Sequence, residues 1–281
     1  MNDGIRQYRP SEYWQQRLST NFDLDGVGML GLGQAFNGWL YKLRVLAVNR
    51  AIRKMKIRVE GRSVLDVGCG TGFWLHFWKA KGAAEICGID IARVSIENLR
   101  ERCAGIVLYH DDIARPGLEL GKAFDVVGAF DVLYHITDNE SWALALANIV
   151  RHLKPGGWLL LTDLFLRGGE YRIYHQLSRP LSEYEYHLSR LGVKILARLP
   201  VFVCAHYPHD ARGPRRATIE LLWKLQTKSL AVANRVGLGC AWGHLLGGFV
   251  FLVDAILTCF CRDGPTLELA VCKKMGALQD I

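Results

Sequence analysis

The chain of 281 residues is half hydrophobic and 22% charged, with a net charge of +8. That composition excludes an intrinsically disordered chain and supplies the core of one large or two small domains. Its eight cysteines form no CxxC pair and no cluster with histidine at metal-ligand spacing, which argues against a disulfide framework or a structural metal and for a reducing compartment.

The charge is uneven. Residues 1–62 hold 11 Lys and Arg against 5 Asp and Glu, residues 63–166 hold 9 against 13, and residues 167–281 hold 15 against 9. Basic flanks of this kind suit an anionic ligand, nucleic acid or lipid surface, or are solvated helix faces. The opening segment MNDGIRQYRPSEYW lacks the basic start, apolar centre and cleavage site of a secretory signal, so a cytoplasmic location is expected.

In chain order, the aromatic residues Tyr8, Tyr13, Trp14 and Phe22 come first. Gly26 to Gly31 then spell GxGxxG with no strand before them, and read as a turn. Phe36, Trp39, Leu40, Leu43, Leu46, Ala47 and Ile52 recur at helical spacing, with Lys42, Arg50, Arg53 and Lys56 turned elsewhere, which predicts an amphipathic basic helix.

From residue 63 the pattern alternates. Strands are predicted at SVLDVG, EICGID (85–90), GIVLYHDD (105–112), FDVVGAF (124–130) and GWLLLTDLF (157–165), with helices at 72–81, 92–102 and 138–152. Apolar strands alternating with helices predict a parallel sheet covered on both faces, the doubly wound α/β architecture. Lys154-Pro155-Gly156-Gly157 reads as a turn ending the helix before the fifth strand. A helix at 181–191, an extended run at 193–203 and an alternating run at 266–274 follow. The boundaries implied are an N-terminal helical cap (1–62), an α/β core (63–203), a helical insertion or lid (204–264), and a last strand with its tail (265–281).

The loop after the first strand carries Gly68, Gly70 and Gly72 in the stretch SVLDVGCGTGFW. Glycines there allow a sharp bend into a helix and a close ligand approach to free N–H groups. The spacing is GxGxG, not the GxGxxG of dinucleotide enzymes, and Asp66 precedes it. Asp90 ends the second strand, where an acceptor-only carboxylate suits ribose hydroxyls. Asp112 ends the third and suits an adenine amine. The plain alternative for each acid is a helix cap. A nucleoside-type ligand is expected at this edge.

These residues resemble the class I S-adenosylmethionine (SAM) dependent methyltransferases. That family carries a strand-loop like VLDVGCGTG, an acid ending the second strand as in GIDIA, an acid-apolar pair as in HDDI, and a turn-strand like LKPGGWLLLTD, all present here in order. The resemblance implies a Rossmann-like seven-stranded sheet with an antiparallel last strand. It implies that Gly68, Gly70 and Gly72 shape the pocket for the amino-acid end of SAM, that Asp90 holds the ribose, that Asp112 and Ile113 hold the adenine, and that Phe130 lies by the sulfonium. Asp66 and Ile91 complete the expected cofactor set.

The chain departs from the plain fold in an insertion of roughly sixty residues. Its run 236–261 holds His244 and Asp254 as its ionisable groups and is long enough to span a bilayer. A single span would strand the last sheet segment on the far side, so the expected alternatives are a helix over the substrate pocket, a helix lying in a membrane surface, or an added core helix. With Tyr13 and Trp14, a greasy insertion favours a hydrophobic small-molecule acceptor. Tyr134 beside the fourth strand, His175 and His206 are further candidates to face it, and His135 is the candidate base. Methylation at oxygen is the leading expectation, with nitrogen or carbon open. RNA or protein methylation, or a non-catalytic SAM-binding partner, are the alternatives; the chain lacks the basic runs with interleaved aromatics that nucleic-acid binding favours.

Overall fold

The computed structural model describes residues 8–261 and 264–276. The first seven residues of the expected cap and the last five of the expected tail lie outside them. Three helices lead: α1 (Pro10–Thr20), α2 (Leu24–Val27) and α3 (Gln34–Lys54). The core runs β1 (Ser63–Val67), α4 (Phe73–Ala80), β2 (Glu85–Asp90), α5 (Arg93–Arg102), β3 (Val107–His110), β4 (Phe124–Ala129), α6 (Asn139–Arg151) and β5 (Leu153–Asp163). A small hairpin of β6 (Tyr171–Ile173) and β7 (Gln176–Ser178) follows, then α7 (Leu181–Arg190) and β8 (Val193–Pro200). The insertion is a pair of long helices, α8 (Gly213–Arg235) and α9 (Gly239–Phe260), before β9 (Glu268–Lys274).

Seven strands form one sheet in the order β3-β2-β1-β4-β5-β9-β8. β1 to β5 are parallel, and β9 runs antiparallel to both β5 and β8, as the resemblance implied. The strand period of two sorts side chains between two cores. Val64, Val126, Leu160, Leu269 and Val271 pack under α3, α4 and α9, while Leu65, Val127, Leu159, Leu161, Ala270 and Cys272 pack against α6 and α7. The alternation in 266–274 therefore divides two buried faces rather than a buried face from water. The eight cysteines are all free thiols.

Three expectations shift at their edges. Lys154 to Gly157 lie within β5, not before it: Phe124 pairs with Leu153 and Val126 with Trp158, so the four residues bulge out of the ladder. Lys154 turns its ammonium onto Asp125 (2.9 Å), and Gly156 takes the left-handed φ of 72°. β3 ends at His110: the Asp111 N–H still reaches the Asp90 carbonyl (3.1 Å), but beyond it the N–H groups turn to side chains, Asp112 donating to Asp111 Oδ1 (2.9 Å) and Ala114 to Asp112 Oδ1 (2.8 Å). β8 stops at Pro200, since the N–H groups of Val203, Cys204 and Ala205 all donate to the Asp254 carboxylate of α9.

The helix at 34–54 is less one-sided than its spacing predicts. Asn37 and Arg44 are buried in it along with the apolar residues, and Arg50 donates to Thr258 (2.6 Å) and to the Ala255 carbonyl (2.8 Å) of α9. Three of its polar positions therefore face protein: Asn37 is held by Asp25 and Met29, Arg44 by Asp131, and Arg50 by the covering helix α9.

Beneath the carboxyl ends of β4 and β5, Asp163 accepts a short hydrogen bond from Tyr184 Oη and one from the Leu164 N–H (2.6 Å). Burial pushes its carboxyl up to about 7 against those bonds. A carboxyl whose folded value lies above its unfolded one holds its proton preferentially in the native state, so this stabilisation is complete below about pH 4 and is lost as the pH rises through 7. Asp163→Asn, which cannot ionise, is expected to gain about 2–4 kcal/mol on the wild type between pH 4 and pH 8. Denaturant unfolding at both pH values reads this difference, and a gap that does not change with pH refutes it.

Candidate active site

A cavity of about 270 Å³ opens at the carboxyl ends of β1, β2 and β4, where the sheet order reverses. Its floor is the loop after β1. Gly68 and Gly72 have φ of 67° and 85°, and a Cβ on them would lie 2.4 Å from Val132 Cγ2 and 2.5 Å from Leu99 Cδ2. These two glycines are thus demanded by the protein's own packing as well as by the turn. The Gly70 N–H donates to Asp90 Oδ2 (2.7 Å), and the Ala92 N–H to Asp90 Oδ1 (2.8 Å). Asp90 therefore braces the loop and the start of α5 together, keeping one spare lone pair on each oxygen for a ligand. Burial raises its carboxyl, opposed by those two N–H bonds.

Asp66 is 1% exposed, and neither of its oxygens has a hydrogen-bond partner. Burial, and then the neighbouring Asp90, push it well above the usual carboxylate range. A buried carboxyl without donors is costly and marks a place where a ligand's donor is missing. Asp66 is not among the residues that line the cavity but stands two residues before Gly68, which does; the ammonium of SAM's amino-acid end has the donor chemistry that this carboxyl lacks, so the residues present fit that group.

Of the other expected cofactor residues, Ile91, Asp112, Ile113 and Phe130 all line the cavity. Asp112 also caps the turn that follows, so the ligand and cap readings hold at one residue. Phe130 stacks on Trp74 with ring centroids 4.1 Å apart and planes 28° from parallel.

The opposite wall is made by the N-terminal helices: Tyr8, Trp14, Leu18, Val27 and Tyr41. α1 is fastened there by Gln15 Oε1, which accepts from the Val94 N–H (3.1 Å). Arg17 Nη2 also donates to the Gly28 carbonyl (2.6 Å). Gly26 to Gly31 thus form the last part of α2 and a bend, as a turn reading requires, but the segment also delivers Val27 to the glycine loop.

Among the described residues, none from α8 or α9 lines the cavity. The lid reading of the insertion is corrected: α9 packs on α3 and on 203–205, and the N-terminal segment covers the pocket instead.

The acceptor candidates divide. Trp14 and His135 reach the cavity wall, with Trp14 edge-on to the imidazole at 4.8 Å. Tyr13 and His175 stand behind them, stacked at 5.1 Å. His175 offers its carbonyl to His135 Nδ1 (3.0 Å), so in the neutral ring Nδ1 carries the proton and Nε2 is the acceptor. Tyr134 is turned into the protein toward Arg44, Asp131 and Asp163, and burial raises its hydroxyl well above the ordinary value. His206 lies outside the wall, stacked on Phe202 and Trp223; burial lowers it to about 4.

Burial also holds His135 down to about 3. A ring kept neutral this firmly accepts hydrogen bonds readily, but it is a weak proton base, which revises the role expected of it.

Sequence reading misses the brace beneath Phe130. Asp131 has a left-handed φ of 59°, lines the cavity, and accepts from Arg44 Nε (2.6 Å) and from Thr162 Oγ1 (2.7 Å). The Arg44 and Asp131 side chains are 7% and 13% exposed. Nothing in the spacing of two residues 87 positions apart signals such a pair.

Residues 39–197 match the family described as a methyltransferase domain. Among curated proteins, the chain is 34% identical over 110 residues to the ubiquinone biosynthesis O-methyltransferase of Chromobacterium violaceum, covering 38% of this chain and 46% of that protein. It is 34% identical over 119 residues to the tRNA U34 carboxymethyltransferase of Pseudoalteromonas translucida, covering 40% and 35%. It is 33% identical over 100 residues to a dTDP-3-amino-3,4,6-trideoxy-alpha-D-glucopyranose N,N-dimethyltransferase of Streptomyces venezuelae, covering 35% and 40%. The chain thus spans less than half the length of these relatives. Among solved structures, the N-methyltransferase NodS of Bradyrhizobium japonicum in complex with S-adenosyl-L-homocysteine superposes with a TM-score of 0.53 at 13% identity, over 95% of this chain and 99% of that one. The [4+2]-cyclase SpnF superposes with a TM-score of 0.54 at 19% identity, over 84% and 81%. These likenesses show a shared fold.

Proposed function

The chain belongs to the SAM-dependent methyltransferase family, and we propose that it methylates a hydrophobic small molecule, at oxygen, in the biosynthesis of a natural product or lipid-like metabolite. One observation carries this reading: a single cavity has the glycine loop with its acids on one side and Trp14, Leu18, Tyr41 and Phe130 on the other. A site of that make-up binds an apolar ligand by burial and orients it with a few polar groups.

SAM, when bound, supplies a methyl group activated by its sulfonium charge. The protein's part is alignment, for which well-oriented reactants gain roughly 7–11 kcal/mol at best. Gly68 to Gly72, Asp66 and Asp90 hold the amino-acid and ribose ends, and Asp112 with Ile113 the base. Phe130 and Trp74 present aromatic faces suited to a cation. His135 Nε2 accepts a hydrogen bond from the acceptor's hydroxyl and so aims its oxygen, while the proton that the hydroxyl loses on methylation passes to solvent, the imidazole being too weak a base to keep it. The O-methyltransferase among the relatives supports the choice of oxygen.

The experiment is mass spectrometry of small-molecule extracts incubated with the protein and deuteromethyl-labelled SAM. A labelled apolar metabolite is the expected result; label found in RNA or protein alone overturns the acceptor class. With an acceptor in hand, His135→Phe is expected to lower kcat/KM by up to about 100-fold, the cost of a misplaced acceptor, with SAM affinity unchanged. Because His135 is neutral down to about pH 3, its loss should remove no limb near pH 6.5 from the rate profile. A variant that turns over like the wild type refutes this role.

A further inference from the structure

α9 shows two stripes of the same spacing on opposite faces. Gly243, Gly247, Val250, Asp254 and Thr258 are its buried residues, turned to α3 and the body. Leu245, Phe249, Leu252, Ile256 and Phe260 form the other stripe and are 61–80% exposed. A stripe of large apolar side chains along a whole helix is far more than the scattered exposure ordinary for a soluble surface.

The helix has 22 residues, and an 18-residue stretch of it has a mean hydropathy of 1.8, enough to cross a bilayer by length and composition. Its attachment forbids that. Asp254 is fully buried and accepts N–H bonds from Val203, Cys204 and Ala205 at 2.8–3.0 Å, and the chain then returns to the sheet as β9. The helix is therefore pinned flat against the body with its apolar side outward.

α8 extends the same surface. Leu222, Leu225, Val232 and Val236 are exposed at helical spacing, and Ser229, on that same line, accepts from Trp242 Nε1 of α9 (3.0 Å), so the two stripes meet. Beside the α8 stripe run the exposed cations Lys224, Lys228 and Arg235. The acid of α8 is Glu220, already paired with Lys224 (2.7 Å).

We propose that the α8–α9 face docks on an anionic lipid surface, with the α9 stripe sunk among the acyl chains at the headgroup boundary and the α8 cations on the phosphates. Apolar burial and attraction to anionic headgroups act together in such binding. Charge complementarity selects this occupant over a second copy of the chain: self-pairing of the face would set cation rows against each other without acids to answer them, which disfavours association.

The test is flotation of the full chain with phosphatidylcholine vesicles, with and without about one-third phosphatidylglycerol, alongside light scattering without lipid. The wild type is expected to float with the anionic vesicles and at least about tenfold less with the neutral ones. Phe249→Glu with Leu252→Glu should abolish flotation while leaving circular dichroism and SAM affinity unchanged. Leu245→Gln with Ile256→Gln is the second variant should the first fail to fold. Failure of the wild type to float, equal binding to both vesicles, flotation unaffected by a folded variant, or a lipid-free dimer that the variant dissociates overturns the proposal.

Discussion

Asp90→Ala is expected to weaken SAM binding by about a hundredfold or more, about 2.7 kcal/mol in binding free energy, as calorimetric titration will read it. The loss has two sources. The ribose-facing lone pairs disappear, and the Gly70 and Ala92 N–H groups lose the acceptor that sets the loop against α5. A buried donor left without a partner costs about 1–3 kcal/mol, so the loop is expected to relax out of its bent form in the variant. Asp90→Asn retains one acceptor oxygen but turns an NH₂ toward one of the two N–H groups, and should fall between alanine and wild type. Affinity for SAM within about threefold of wild type in Asp90→Ala would remove this residue from the site, since a threefold change is well under 1 kcal/mol.

The second large effect is on stability. Arg44→Met is expected to cost about 3–5 kcal/mol, because it leaves the Asp131 carboxylate buried without its cation. Burial pulls the Arg44 guanidinium down, yet the facing Asp131 carboxylate, with Tyr41 and Tyr134, more than offsets this and holds it above its ordinary value. The aromatic rings of Tyr41 and Phe202 lie about the guanidinium at 5.0 and 4.9 Å. Asp131→Asn added to Arg44→Met should recover most of the loss, since asparagine keeps the Thr162 partner, carries no charge and tolerates a left-handed φ. A double-mutant cycle by urea unfolding reads the coupling. Additive single effects would show that the pair does not act as a unit.

Much of the catalytic half was legible in the chain because its signals are local. A strand-loop-helix with three glycines within five residues, and acids at successive strand ends, lies within short windows where backbone geometry and hydrogen bonding are decided by near neighbours. Gly68, Gly70, Asp90, Ile91, Asp112, Ile113 and Phe130 accordingly stand around one cavity, while Gly72 packs against Leu99 outside its lining. The second wall was legible only in part. Trp14 was visible as an aromatic, but Val27 and Tyr41 reach the pocket through the packing of helices that no periodicity places there. Tyr134 and His206 show the converse: their residue types suit a pocket, yet their backbones aim them into the interior.

The sequence by itself determined the alternation of strands and helices in the α/β core, the loop that bends after the first strand, and the long apolar run near the end, because each follows from residue periodicity and turn chemistry within a few positions; the short hairpin β6–β7 and the helices α1 and α8 carry no such signal. The tertiary structure alone decided which segment covers the cavity, how Arg44 meets Asp131 across 87 residues, and which side of α9 faces outward. Those outcomes depend on how distant elements dock, and docking is governed by burial and pairing among residues far apart in the chain, which a linear pattern does not encode.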